Sequence, residues 1–374
     1  MSRLNNLINE LCPDGVEYVK IKDTFQRLKG TPITAGKMKE IAREDGELKI
    51  FAGGKTVVNA YEKDIPKANI IKVPAVLVQS RGLIDFIYYE KQFTFKNEMW
   101  AYTANNKITV KYLYYVLQNN KQYFRDYASD MGSLPQISLH VTEDFKIPFP
   151  PLAVQREIVR ILDNFTELTQ ELTQELTLRK KQYLYYRDKL LTFGDDVEYK
   201  ALGEITTVSR GIRVVKKQLE TTGNIPVYQN SMTPLGYYKK SNCKLNTTFV
   251  IGAGAAGEIG FSSVEFWAAD DCYYFVCSEK ILDRFLYYAL LCQYTFIKLQ
   301  VRKASIPRLA RSVIENLKIP VPPIEEQEKI VKILDKFDTL CNDLTNGIPA
   351  EINARQKQYE YYRDRLLQFK IKNS

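Results

Sequence analysis

The fold expected of this chain is α+β: two mixed α/β domains separated by a long antiparallel two-helix coiled coil, arranged as a pseudo-twofold internal repeat. Three observations predict it. Lys146-Ile147-Pro148-Phe149-Pro150-Pro151, Gln155 and the run Ile158 to Phe165 return as Lys318-Ile319-Pro320-Val321-Pro322-Pro323, Gln327 and Ile330 to Phe337. Each copy closes on one signature, QYLYYRDKLLTF from Gln182 and QYEYYRDRLLQF from Gln358. Between the copies lie two regions of similar plan and diverged detail, about 15–147 and 195–319.

In chain order, Leu4, Leu7, Ile8 and Leu11 fall on one helical face, and Cys12-Pro13-Asp14-Gly15 ends that helix. Val16-Glu17-Tyr18 opens the next segment, as Val197-Glu198-Tyr199 does after the first YYRDKLLTF block. The chain therefore begins near the end of a repeat unit. The termini are expected close together, with the first helix in the place that Leu190-Leu191 takes in the other copy. Short strands such as Ala75 to Val78 and Thr248 to Ile251 alternate with Gly- and Asn-containing turns. Each region then carries a helix with paired tyrosines, Tyr112 to Leu117 and Phe285 to Leu290. Each ends in a polar loop, Gly132 to Ile137 and Ala304 to Leu309, and Arg302-Lys303-Ala304-Ser305 is matched to Ser133-Leu134-Pro135-Gln136.

The connecting segments are helical, because Pro-Pro can precede a helix but not sit inside one. Ile158, Ile161, Leu162, Phe165, Leu168, Leu172 and Leu176 form an apolar stripe that Tyr183, Tyr186 and Leu190 extend. A helix from Gln155 to Thr192 would be roughly 55 Å long. A single stripe on so long a helix needs a partner, and Ile330, Ile333, Leu334, Phe337, Leu340, Leu344, Ile352, Tyr359, Tyr362 and Leu366 supply it. The connectivity makes the pair antiparallel. The first copy alone carries the tetrapeptide run Glu167-Leu168-Thr169-Gln170, Glu171-Leu172-Thr173-Gln174, Glu175-Leu176-Thr177-Leu178. The second has Asn346-Gly347-Ile348-Pro349, which should break or kink its helix.

The bulk composition narrows the function. The 374 residues suffice for two or three domains, 45% are apolar and 26% charged, and the net charge is +9. That charge suits a polyanionic partner or simply a lysine-rich surface. No apolar run reaches bilayer length, the start lacks a signal-peptide core, and six cysteines are too few for a disulfide framework. A cytoplasmic protein is the expectation.

Enzyme-like signals do not hold up. Gly252 to Gly257 fits GxGxxG, but Glu258 to Ser263 behind it has the pattern of a strand rather than a phosphate-binding helix. Gly54-Lys55-Thr56 ends like a phosphate loop, yet Lys49 stands where the earlier glycine is required. No Asn-Pro-Pro-Tyr motif is present, the single histidine, His140, has no nucleophile motif near it, and the cysteines are spaced as small buried hydrophobes. No catalytic residue, metal or cofactor is expected.

Together the doubled Pro-Pro/ILD block, the doubled YYRD block, Gly347 to Ile352 between them and the Pro13 to Tyr18 opening resemble the specificity (S) subunit of type I restriction–modification enzymes, over the whole length. The resemblance implies a non-catalytic subunit whose two target-recognition domains each read half of a bipartite, asymmetric DNA site. It further implies helices that dock two methyltransferase (M) subunits, with restriction (R) subunits joining in the full complex. On this basis residues 1–14 would complete the scaffold, 15–147 and 195–319 would be the recognition domains, and 148–194 and 320–374 the helical spacers.

Base reading needs Arg, Lys, Asn or Gln on loops, amid phosphate contacts. The DNA-contacting candidates are Lys37, Lys39, Lys55, Arg81 and Gln136 in the first domain, and Arg210, Arg213, Lys216, Lys217, Arg302, Lys303 and Arg308 in the second. Tyr185, Arg187, Tyr361 and Arg363 are candidates for M docking, with plain helix packing as the competing role. One tyrosine of each pair should face the partner helix and the other the surface. Two further readings are a scaffold or silent cassette copy that no longer reads DNA, and an enzyme using the Gly252 to Gly257 loop.

Overall fold

The computed structural model describes residues 2–54, 56–128, 134–220 and 223–372. They form two compact units, 1–171 with 353–374, and 172–352.

In the first unit α1 (Ser2–Leu11) leads to β1 (Tyr18–Lys20), α2 (Ile21–Thr24), β2 (Gln26–Lys29), α3 (Ala35–Ile41), β3 (Leu48–Phe51) and β4 (Val57–Ala60). Then come β5 (Ala75–Gln79), β6 (Asp85–Tyr89), β7 (Phe93–Phe95), β8 (Trp100–Thr103), α4 (Lys107–Asn119), α5 (Lys121–Asp126), α6 (Leu139–Glu143) and β9 (Lys146–Pro148). A four-stranded sheet runs β2-β8-β5-β6, a three-stranded one runs β4-β3-β7, and β1 pairs with β9. The α4 face bearing Val110, Leu113 and Leu117 is buried with Val76, Val78 and Phe86 of the larger sheet. The 39-residue α7 (Leu152–Leu190) then carries the chain into the second unit.

The second unit repeats the plan. β10 (Tyr199–Ala201), α8 (Leu202–Ile205), β11 (Thr206–Arg210), β12 (Ile225–Tyr228), β13 (Gly236–Tyr238), β14 (Thr247–Ile251) and β15 (Ile259–Ser262) come first. They are followed by β16 (Trp267–Ala268), β17 (Cys272–Cys277), α9 (Asp283–Cys292), α10 (Tyr294–Leu299), α11 (Arg311–Glu315), β18 (Lys318–Pro320), α12 (Ile324–Asn342) and α13 (Ile348–Leu366). The sheets run β11-β17-β14-β15 and β13-β12-β16, with β10 on β18. Equivalence extends to register: Tyr18 faces Pro148 as Tyr199 faces Pro320. In each smaller sheet one pair is parallel, β3 with β7 and β12 with β16.

The duplicated motifs now have physical roles. Both glutamines turn back onto the Pro-Pro turn, Gln155 Nε2 donating to Pro150 O and Gln327 Nε2 to Pro322 O, each at 2.8 Å. Gln327 also donates to Lys280 O and accepts from Leu282 N–H, whereas Gln155 Oε1 is buried without a partner among the described residues. The ILD aspartates tie each helix to its own domain. Asp163 takes Lys111 Nζ at 2.8 Å and Tyr115 OH at 2.5 Å. Asp335 takes Arg284 Nε and Tyr288 OH, both at 2.6 Å, and Asp338 takes the other end of the same guanidinium at 2.8 Å. Burial first, and the aspartate bond second, push both tyrosine hydroxyls well above their usual range, so they stay protonated donors.

The phenylalanine ending each ILD block stacks on the second tyrosine of a YYRD block. Phe165 meets Tyr362 at 5.5 Å in the first unit and Phe337 meets Tyr186 at 5.7 Å in the second. Such stacks contribute about 0.5–1.5 kcal/mol beyond area burial. The continuous stripe expected along the helices is interrupted: Leu168 is exposed, and Leu344 is 79% exposed because it lies in a break of the second helix. That break forms because Asp343 Oδ1 caps the amides of Thr345 and Asn346. Gly347 then passes so near the carbonyls of Thr339, Asp343 and Leu340 that a Cβ would lie 2.5–2.9 Å from them.

The end segments of the chain do meet, with Val16 N–H on Lys370 O and Lys372 N–H on Val16 O. The place equivalent to Leu190-Leu191, however, is taken by Leu366 and Leu367, buried in the first unit's core, and not by α1. The second copy brings its own helix end, so α1 is an added element anchored by buried Leu4.

Candidate nucleic-acid interface

Each unit has a cleft beside the loop that follows β5 or β14. In the first unit the cleft holds about 660 Å³ and is bordered by Ala35, Met38, Lys39, Gly53, Gly54, Arg81, Leu83, Lys96, Glu98 and Leu134. Buried Gln79 fixes one wall by donating to Gly54 O at 2.5 Å. In the second unit the cleft holds about 230 Å³ and is bordered by Arg210, Gly252, Ala253, Asp270, Asp271, Tyr273, Arg302 and Arg308. The first is mainly apolar with a cationic edge; the second is an arginine cluster beside two aspartates.

Of the residues expected to contact DNA, Lys39 and Arg81 come together at the first cleft and Arg210, Arg302 and Arg308 at the second. Arg81, Arg302 and Arg308 are exposed, and none has a carboxylate partner among the described residues. Gln136 is exposed on the strand-like segment bridging Arg81. Lys37 sits outside the cleft and pairs with Glu40 at 2.8 Å. Arg213, Lys217 and Lys303 are exposed but do not border the second cleft. Lys216 lies in a short 3-10 turn, Lys216–Gln218. Lys55 lies outside the described residues.

The match of Arg302-Lys303-Ala304-Ser305 to Ser133-Leu134-Pro135-Gln136 is off by three positions. Gly82 N–H bonds Pro135 O as Gly254 N–H bonds Pro307 O, so Ser305-Ile306-Pro307-Arg308 is the true counterpart. Lys96, Asp270, Asp271 and Tyr273 were not among the expected cleft residues. Asp270 Oδ1 is buried without a hydrogen-bond partner among the described residues, and Arg210 Nε reaches Asp270 O at 2.6 Å. A search for cations passes over aspartates, although a carboxylate accepts from the amino groups of cytosine.

The glycine-rich segment is a turn: Gly254 and Gly257 have φ of 82° and 83°, and a strand, β15, follows. Burial pushes the Cys243 thiol up to about 12 and that of Cys272 well above its usual range, as suits inert packing groups. His140 lies on the surface, 3.7 Å from Glu143. In the YYRD blocks Tyr185 and Tyr361 are 60% and 57% exposed while their neighbours stack inward. Arg187 and Arg363 are folded onto Asp188 and Asp364, and Arg363 also donates to Asn119.

A family profile described as the type I restriction modification DNA specificity domain matches residues 13–178 and again 194–354. The chain belongs to this family. A type I restriction enzyme specificity subunit of Escherichia coli is 34% identical over 356 residues, 86% of each chain. The crystal structure of a type I restriction–modification S subunit from M. genitalium has the same fold, with a TM-score of 0.69 at 19% identity over 94% of this chain and 96% of that one. A chain from a structural study of complex assembly and conformational transition of the type I R-M system gives 0.55 at 14% identity, over 95% and 98%. Family membership accounts for the doubled plan, and the first cleft lies within the first matched segment and the second cleft within the second. Among the described residues, no helix is long and apolar enough to cross a membrane.

Proposed function

We propose that this chain is the DNA sequence-recognition subunit of a type I restriction–modification complex. Each unit reads one half of a bipartite, asymmetric site, and methyl transfer and cleavage reside in partner subunits. The observation carrying this is the recurrence of one loop, in one register, beside two clefts where Arg81, Arg302 and Arg308 have no carboxylate partner among the described residues. Cations left without carboxylates are arranged for an external anion, and backbone phosphates supply it.

The segments 15–147 and 195–319 serve as recognition domains and 148–194 and 320–374 as spacers that set half-site distance. Exposed Tyr185 and Tyr361, on equivalent ends of the repeat, dock two M subunits, with R subunits completing the assembly in the cytoplasm. Arg187 and Arg363, each held by the aspartate that follows it, belong to the same docking surface.

The test is co-expression with the cognate M subunit, followed by salt-dependent DNA binding and genome-wide mapping of methyladenine. A single bipartite methylated motif, lost when this chain is omitted, is the expected result. Assembly with M but no sequence-selective methylation would instead identify a silent scaffold. Methyl transfer by this chain alone would overturn the non-catalytic assignment.

A further inference from the structure

The loops beside the two clefts share one backbone position whose side chain differs. In the first unit Gly82 donates to Pro135 O at 2.8 Å and Ile137 to Ser80 O at 2.9 Å, which sets Arg81 opposite Gln136. In the second Gly254 donates to Pro307 O at 3.0 Å and Leu309 to Gly252 O at 2.8 Å, which sets Ala253 opposite Arg308. The next residue is buried in both, Ile137 at 1% and Leu309 at 2% exposure. Side chains alternate along an extended segment, so anchoring that residue in the core turns Gln136 and Arg308 outward. Both are exposed.

Glutamine and arginine are the side chains that match a base edge with two parallel hydrogen bonds, glutamine on adenine N6 and N7, arginine on guanine O6 and N7. We infer that positions 136 and 308 are equivalent base-selecting positions, Gln136 taking an adenine in one half-site and Arg308 a guanine in the other. This rests on the DNA-reading function proposed above.

Arg302 adds a second contact in the second unit. It is paired directly with Arg308, the two exchanging N–H···O bonds of 2.9 and 3.2 Å. Side chains on directly opposed residues share a face, and like charges there repel. No carboxylate among the described residues forms an ion pair with either, although Asp270 and Asp271 border the same cleft, so both guanidiniums are open to an anion from outside. Arg302 takes the backbone phosphate beside the guanine that Arg308 reads.

The experiment maps methylated sites genome-wide for complexes carrying the wild-type chain, Arg308→Gln, Arg308→Lys, Gln136→Arg and Arg302→Gln. Arg308→Gln is expected to turn a guanine preference into an adenine preference at one position, by about 10-fold or more, with the other half-site and the spacer unchanged. Gln136→Arg makes the reverse change in the other half-site. Arg302→Gln weakens binding to every sequence and lowers the salt slope by about one. An unchanged base at both swapped positions, or a uniform loss of affinity for all sequences, overturns the assignment. If Arg308→Gln abolishes methylation altogether, Arg308→Lys decides: retained guanine preference supports the inference, and base-independent loss overturns it. A wild-type complex that marks no bipartite site refutes the DNA-reading function itself, a result separate from these.

Discussion

Replacing Arg284 by alanine removes the most heavily engaged cation in the second unit. Its guanidinium bonds Asp335, Asp338 and Tyr288 and lies 4.5 Å from the ring centre of Phe261 and 4.9 Å from those of Tyr287 and Tyr288. Hydrogen bonds to charged groups contribute about 1.5–3 kcal/mol, and a partly desolvated cation–π contact about 1–2. The aspartates keep 43% and 25% side-chain exposure, so water restores much of what they lose. The net cost expected is about 2–3 kcal/mol. Lys111, its counterpart, has one ion pair at 2.8 Å and one ring contact at 5.3 Å, so Lys111→Ala should cost about 1 kcal/mol. Urea unfolding, followed by probes placed in each unit, checks this. Arg284→Ala lowers the midpoint of the second unit by about 1 M, and adding Asp335→Asn costs little more, because the pair is already broken. A loss below about 1 kcal/mol, or equal losses for both single variants, would refute the reasoning.

Deleting Glu171 to Gln174 removes one tetrapeptide from α7, shortening it by about 6 Å and rotating the chain beyond the deletion by about 40°, close to the 34–36° of one base pair. The expected result is a shorter preferred spacer with both half-sites unchanged, read by methylation of a spacer library; an unaltered spacer preference contradicts it. Gly347→Ala should destabilise the α12–α13 turn by about 1–3 kcal/mol, since its Cβ would strike three carbonyls, and thermal melting would show it. Only the thiolate reacts, and the Cys243 thiol, pushed up to about 12 by burial, stays protonated at pH 8. It should resist alkylation until denaturant is added, and rapid mass-detected labelling of the native chain would count against its burial.

Legibility in the sequence followed duplication. The Pro-Pro, ILD and YYRD blocks were visible because each occurs twice, and the inward and outward tyrosines of Tyr185-Tyr186 and Tyr361-Tyr362 followed from helical spacing alone. The Gln155 and Gln327 turns, and the Asp163 and Asp335 ties to the domain helices, join residues about 5 and about 50 positions apart and leave no periodic trace. The parallel pairing of β3 with β7 and of β12 with β16 is equally silent. The pairing of Pro135-Gln136-Ile137 with Pro307-Arg308-Leu309 was legible in the two polar loops and agrees with the backbone bonds at Pro135 and Pro307, whereas the match of Arg302-Lys303-Ala304-Ser305 to Ser133-Leu134-Pro135-Gln136 slips by three residues. Lys37 pairs on the surface with Glu40, one turn along α3, a contact that residue type alone does not reveal.

The bonds joining Val16 to Lys370 and Lys372 bear on the order in which the molecule is completed during synthesis. Residues 172–352 are contiguous, so the second unit has every part it needs once that stretch has left the ribosome. The first unit, although translated earlier, must wait for 353–372, because Leu366 and Leu367 fill its core and Tyr362 stacks on Phe165. Until then its core lacks Leu366 and Leu367, and Phe165 lacks the Tyr362 ring. The half made first is thus the half finished last, and a chain truncated after residue 352 would present a closed second unit and an open first one.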